Sequence, residues 1–206
     1  MALRADHEGL ADEALLRRFN EGDAEAFEVL VRRYQRPLFN FILRSVRDRE
    51  TAEELLQDVL LKVVQRSSEF QGNSKVSTWI YTIARNLCID TSRKMVFRRH
   101  KSLDAPLRGD EPDGSTMLDR VAGAVPGADR SVIGQDLQVR IAAAVEELPD
   151  EQRDVFLMRE LSNMPFKDIA EVVGVPENTV KSRMRYALER LQKALAEYED
   201  YARELK

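Results

Sequence analysis

The chain has 206 residues, 43% of them hydrophobic and 33% charged, with a formal net charge of -4, enough for one large domain or two small ones. No apolar run approaches the ~20 residues that cross a bilayer, and the first residues lack a signal-peptide pattern, so no membrane is expected. A single cysteine, Cys88, excludes an internal disulfide, and His7 and His100 cannot build a zinc site with it; no metal or cofactor is expected, and a reducing cytoplasm is the expected compartment.

In chain order, almost every periodic stretch is helical. From Asp12 to Arg44 apolar residues recur three and four apart: Leu15, Leu16 and Phe19, then Phe27, Leu30, Val31, Tyr34, Leu38, Phe41 and Ile42. Glu21-Gly22-Asp23 separates the first two helices. TAEELLQDVLLKVVQR repeats the pattern with Ala52, Leu55, Leu56, Val59, Leu60, Val63 and Val64. A Gly-containing break, Phe70–Ser77, leads into a helix from Thr78 whose buried stripe is Ile80, Ile83, Ala84 and Leu87. Trp79, Thr82 and Asn86 share an adjacent stripe, one and two turns apart. An indole beside amides suits either core packing or an unstacked base.

Residues 102–134 hold five of the nine glycines and three of the seven prolines and show no sustained period, which predicts a flexible linker. Four further helices are predicted at 137–147, about 150–161, 166–173 and 177–197. The fold class is therefore all-α, two small helical modules joined by that linker. No carboxylate cluster or nucleophile–base constellation marks an enzyme, and none is expected.

The spacing in FKDIAEVVGVPENTVKSRMRYALERL matters more than its composition. Ala170 permits close approach of a following helix, Gly174 can take a left-handed turn, and Val175 and Val180 point into the angle between helices. Pro176 stands just ahead of the second helix, where a missing N–H costs little. These are the parts of a helix-turn-helix, whose second helix enters the major groove. Its early turns offer Asn178, Thr179, Lys181, Ser182, Arg185 and Tyr186 to base edges or phosphates. Arg183 lies about 200° around the axis from Lys181, reaching a phosphate or capping the inner face. A solvated basic face is the bland alternative.

AFEVLVRRYQRPLFNFI, ETAEELLQDVLLKVVQ and FQGNSKVSTWIYTIARNLCIDTSRK resemble region 2 of the extracytoplasmic-function (ECF) group of bacterial sigma factors, and LPDEQRDVFLMREL with the helix-turn-helix string resembles their region 4. The resemblance implies region 2 over 10–96, a linker over 97–136 and region 4 over 137–197. It implies that Phe70, Asn73, Ser74 and Asn86, with Trp79 beside them, capture a base flipped from a promoter −10 element. It implies that Glu54, Gln57 and Asp58 dock on the β′ clamp helices of core RNA polymerase. The −35 element falls to the second module, with Arg183 counted among its contacts. Core polymerase (clamp helices and β flap), partly single-stranded promoter DNA and an anti-sigma factor are the implied partners. The basic run Arg93, Lys94, Arg98, Arg99 and Lys101 is either a solvated helix end, favoured by the dipole, or a phosphate contact. An autonomous helix-turn-helix regulator is the rival reading, and its acidic net charge weighs against it, because a stand-alone DNA binder needs its own positive field.

Overall fold

The computed structural model describes residues 7–102 and 132–196, with side chains over 7–95 and 139–196. The predicted linker over 97–136 falls mostly outside the described residues. Among the described residues, beyond a helical piece at 7–8, four helices precede it: α1 (Asp12–Asn20), α2 (Ala24–Val46), α3 (Arg49–Arg66) and α4 (Val76–Ser102), with a 3-10 turn at Ser67–Glu69. Four follow: α5 (Val132–Glu146), α6 (Asp150–Ser162), α7 (Phe166–Val173) and α8 (Glu177–Ala194). Several bounds differ from the sequence expectation: α4 starts at Val76 rather than Thr78 and runs on to Ser102, α5 starts at Val132 rather than 137, and α8 ends at Ala194 rather than 197.

Local chemistry sets the helix starts. Asp23 caps α2, its carboxylate accepting the Glu25 and Ala26 N–H groups at 3.1 and 3.3 Å. Asp48 does the same for α3 through the Thr51 N–H at 2.7 Å. His7 holds the Asp23 carboxylate from the other side at 2.7 Å, and this contact keeps the carboxyl below its ordinary value. The α4 terminus is capped from afar: the Glu13 carboxylate on α1 accepts the Val76 N–H at 3.1 Å. That negative charge at a helix N-terminus starts α4 two residues earlier than Thr78.

The first module packs Leu15, Leu16, Ala26, Leu30, Leu38, Phe41, Ile42, Ala52, Val59, Val63, Ile80 and Ala84 into its core, and the second packs Val155, Leu157, Met158, Ile169, Val172, Val180, Met184 and Ala187. The two sets belong to one continuous apolar cluster. α6 lies on α2, and α7 lies on α4. The seam between modules carries polar contacts. Arg85 Nε meets Asp154 Oδ2 at 2.8 Å, and Lys75 Nζ meets Asp168 Oδ2 at 2.8 Å. The Tyr81 and Ser162 hydroxyls bond each other, and the Arg47 guanidinium donates to the Glu146 carbonyl. A cleft of about 400 Å³ opens along the seam beside Tyr34, Lys75, Tyr81 and Asp168. Among the described residues, no helix is long and apolar enough to cross a membrane.

Candidate nucleic-acid interface

α7 and α8 meet at a turn that the sequence dictates. Gly174 has φ +70°, and the N–H groups of Gly174 and Val175 both donate to the Ala170 carbonyl, at 2.9 and 3.2 Å. Pro176 precedes α8, its carbonyl accepting from Thr179 and Val180. Val180 is fully buried and Val175 half-buried, so the inner angle is apolar as expected. Asn178, Lys181, Ser182, Arg185 and Tyr186 are exposed, and Thr179 is half-buried.

Several of these side chains are pre-positioned. The Arg185 guanidinium lies over the Tyr186 ring, 4.9 Å from its centroid, and 3.8 Å from the Glu189 carboxylate. Stacking on one flat face leaves the edge donors of the fork available. Lys181 pairs with Glu177 at 2.7 Å, both partners well exposed, so a phosphate or base can displace the carboxylate at small cost. The Ser182 hydroxyl donates to the Asn178 carbonyl at 3.0 Å, which leaves it to accept rather than donate. Arg183 departs from this stripe: it turns inward to α6 and bonds the Glu151 carboxylate at 2.5 Å, the inner-face alternative for that side chain.

At the other surface, Phe70 and Trp79 pack together, centroids 5.2 Å apart and tilted 44°. Both are half-buried against the core. Trp79 thus performs a packing role, with one face occupied by Phe70. Gly72, at φ +72°, turns the loop between them. Asn73 is exposed and donates to Gln71 at 3.2 Å, and Ser74 is half-buried. A recess of about 440 Å³ lies against Phe70, Gln71 and Gly72, walled by Glu13, Arg17 and Asn20 of α1. Asn20 ties this wall to the Ser67 carbonyl at 2.9 Å. Asn86 stands exposed on α4, seven residues beyond Trp79, about 10 Å along the axis. Arg93 and Lys94 are exposed on the same helix; the side chains of Arg98, Arg99 and Lys101 lie outside the described residues.

Glu54, Gln57 and Asp58 share an exposed face of α3. The structure extends that face with two residues the sequence reading missed as surface. Leu61 is 54% exposed and Val64 38% exposed. Val64 belongs to the apolar repeat of that helix yet lies outside its buried face. The available signal was Leu61 itself, an apolar residue two turns from Glu54 and off the buried face.

The residues over 30–97 match the family described as "Sigma-70 region 2", and those over 138–191 match "Sigma-70, region 4". The "ECF RNA polymerase sigma factor SigW" of Bacillus subtilis is 30% identical, covering 87% of this chain and 94% of its own length. The chain belongs to the ECF sigma factors. The "RNA polymerase sigma-H factor" of Pseudomonas aeruginosa is 28% identical over 89% of this chain and 93% of that protein. Among solved structures, the sigma factor RpoE of Bartonella quintana in complex with the anti-sigma factor NepR is similar at 25% identity. It covers 82% of this chain and 94% of that one, with a TM-score of 0.62. CnrH, solved with the cytosolic domain of CnrY, shares the fold at 18% identity and a TM-score of 0.64, over 92% of this chain and 99% of that one. As an ECF sigma factor the chain directs RNA polymerase to promoters.

Proposed function

We propose that this sigma factor divides promoter reading between its modules, with residues 10–96 serving the −10 element, 137–197 serving the −35 element and 97–136 connecting them. The single observation that carries this reading is the exposed stripe on α8: Asn178, Lys181, Ser182, Arg185 and Tyr186, held clear of the core by an αL turn at Gly174. In the major groove, Arg185 and Lys181 read base edges and Asn178 and Thr179 set the register on phosphates. Arg183 acts through Glu151 to fix α8 against α6.

At the −10 element, the recess beside Phe70 receives an unstacked base. Asn73, Ser74 and Asn86 supply amide and hydroxyl groups, and Trp79 holds the loop through Phe70. Melting by such a site is differential binding, because a base held in a pocket lowers the free energy of the open duplex; each stacked base contributes about 1–3 kcal/mol. Glu54, Gln57 and Asp58, extended by Leu61 and Val64, dock on the polymerase clamp, and the second module docks on the β flap. The protein works in the cytoplasm and performs no chemistry of its own. An anti-sigma factor is a further partner, a reading supported by the similarity to RpoE bound to NepR.

Asn86→Ala tests the −10 assignment. Open-complex formation on linear templates should fall while binding to core polymerase stays intact, because Asn86 is exposed and supports no core contact. A mutant that melts promoters normally would remove the base-capture role. A shift of duplex DNA by the free protein alone would favour the autonomous-regulator alternative.

A further inference from the structure

The stretch over 67–76, which joins α3 to α4, is strapped to α1 at both ends. At its start the Asn20 side-chain amide donates to the Ser67 carbonyl at 2.9 Å; at its end the Glu13 carboxylate accepts the Val76 N–H at 3.1 Å. Glu13, Leu16, Arg17 and Asn20 fall at i, i+3, i+4 and i+7, so they share one face of α1. That face and the loop enclose the recess of about 440 Å³ between the two straps. Leu16, 1% exposed, and the half-buried Phe70 give the recess an apolar side.

Arg17 is the lining group that this arrangement leaves unused. Asn20 and Glu13 are committed to the backbone. The Arg17 side chain, midway between them, is exposed and makes no hydrogen bond or ion pair among the described residues. Its neighbours one turn away on either side, Glu13 and Glu21, line the same recess. Exposed pairs of that spacing restrain a guanidinium only weakly, so its donors are available to a base.

A guanidinium fork donates two parallel N–H bonds and needs two adjacent acceptors. Cytosine presents N3 beside O2, and guanine presents O6 beside N7. In thymine the N3–H separates the two carbonyls, and in adenine no two acceptors adjoin. The cytosine amine also suits a carboxylate, and Glu13 and Glu21 flank Arg17. We propose that Arg17 is a specificity-determining residue for the captured base, selecting cytosine or guanine over thymine and adenine by a two-bond contact. This role rests on the −10 reading given above and adds α1 to a site drawn there from the loop and α4.

Holoenzyme assembled from core polymerase and the full chain is used to transcribe a promoter library randomised across the −10 element. Wild type should show one position at which cytosine or guanine exceeds thymine and adenine about tenfold or more, the discrimination that a two-bond contact carries. Arg17→Ala should flatten that position alone, leaving the other −10 positions and the −35 preference as they were. Arg17→Lys tells the two bases apart. A single ammonium cannot span N3 and O2, so a cytosine preference is lost with lysine, whereas a guanine preference survives in part because lysine also bonds O6 and N7. An unchanged preference at every −10 position in Arg17→Ala overturns the assignment. So does a uniform loss over all sequences, which marks a phosphate contact, or a change confined to a position where wild type prefers thymine or adenine. An abasic site at the selected position is the control for the underlying reading. Wild-type holoenzyme that melts the abasic promoter as well as the intact one captures no base there, and the −10 reading itself fails. Sensitivity to the abasic site beside an unaltered preference in Arg17→Ala refutes the role of Arg17 alone.

Discussion

Burial pushes the Tyr81 phenol up to about 12, with the Ser162 hydroxyl acting in the opposite direction. Between its ordinary value of 10 and about 12, the folded protein binds this proton and the unfolded chain does not. This contribution to stability is therefore at full strength below pH 10 and weakens as pH rises through that window. Lys75 acts in the same direction. Its ammonium, hydrogen-bonded to Asp168, is held above the ordinary 10.5, and its contribution is present below 10.5 and lost at higher pH. Ultraviolet titration of phenolate in wild type and Tyr81→Phe should give a difference curve with its midpoint near 12. In urea-unfolded protein the midpoint should fall to 10. A Tyr81 that titrates at 10 in the wild type would mean the seam is not closed in solution.

At the scale of an element, the α7–turn–α8 unit depends on backbone conformation at one position. A Cβ at Gly174 would meet nothing within 4 Å, yet φ is +70°. Gly174→Ala should therefore destabilise the protein by about 1–2 kcal/mol through backbone strain alone, and Gly174→Asn by less. Urea denaturation measures both, and equal stabilities would show that the turn has another conformation available. The phase of α8 makes a second demand. Arg185 and Arg190 are both exposed, but Arg190 stands more than three turns past Glu177, which opens the helix, where it leaves the groove. Arg185→Ala should lose ~1–3 kcal/mol of discrimination at one or two −35 positions. Arg190→Ala should weaken all sequences alike and lower the salt slope by about one. Transcription from a randomised −35 library distinguishes them: an unchanged sequence preference for Arg185→Ala contradicts the base-reading role, and a changed one for Arg190→Ala means the helix enters the groove in a different phase.

For the whole molecule, a net charge of -4 sits beside a basic stripe on α8. The basic side chains are Lys181 and Arg185 on the reading face and Arg190 and Lys193 further along the helix, all exposed. A protein that condenses on DNA unaided needs positive charge over its whole footprint. A specificity subunit needs it only at its reading surfaces, since the larger polymerase supplies the nonspecific attraction. The acidic remainder, including Glu50, Glu53, Glu54 and Asp58 on exposed α3, lowers free binding to the genome.

Periodicity alone determined the helical class, because each helix buries one stripe against its neighbours and a 3.6-residue repeat records that directly. The α7–α8 turn was equally legible, since Gly takes the φ that Gly174 adopts at the least steric cost. Other features depended on partners distant in sequence. The start of α4 is set by Glu13, 63 residues earlier. α4 also carries a second buried stripe, Tyr81, Arg85 and Cys88, that no reading of one helix against its own module requires. Its partners Ser162 and Asp154 lie 81 and 69 residues along the chain. The inward turn of Arg183 toward Glu151 and the exposure of Leu61 and Val64 are of the same kind. A stripe of mixed polar and aromatic residues looks alike in sequence whether it faces water or another module; only the tertiary structure, by bringing the opposing charge and hydroxyl to it, decides which.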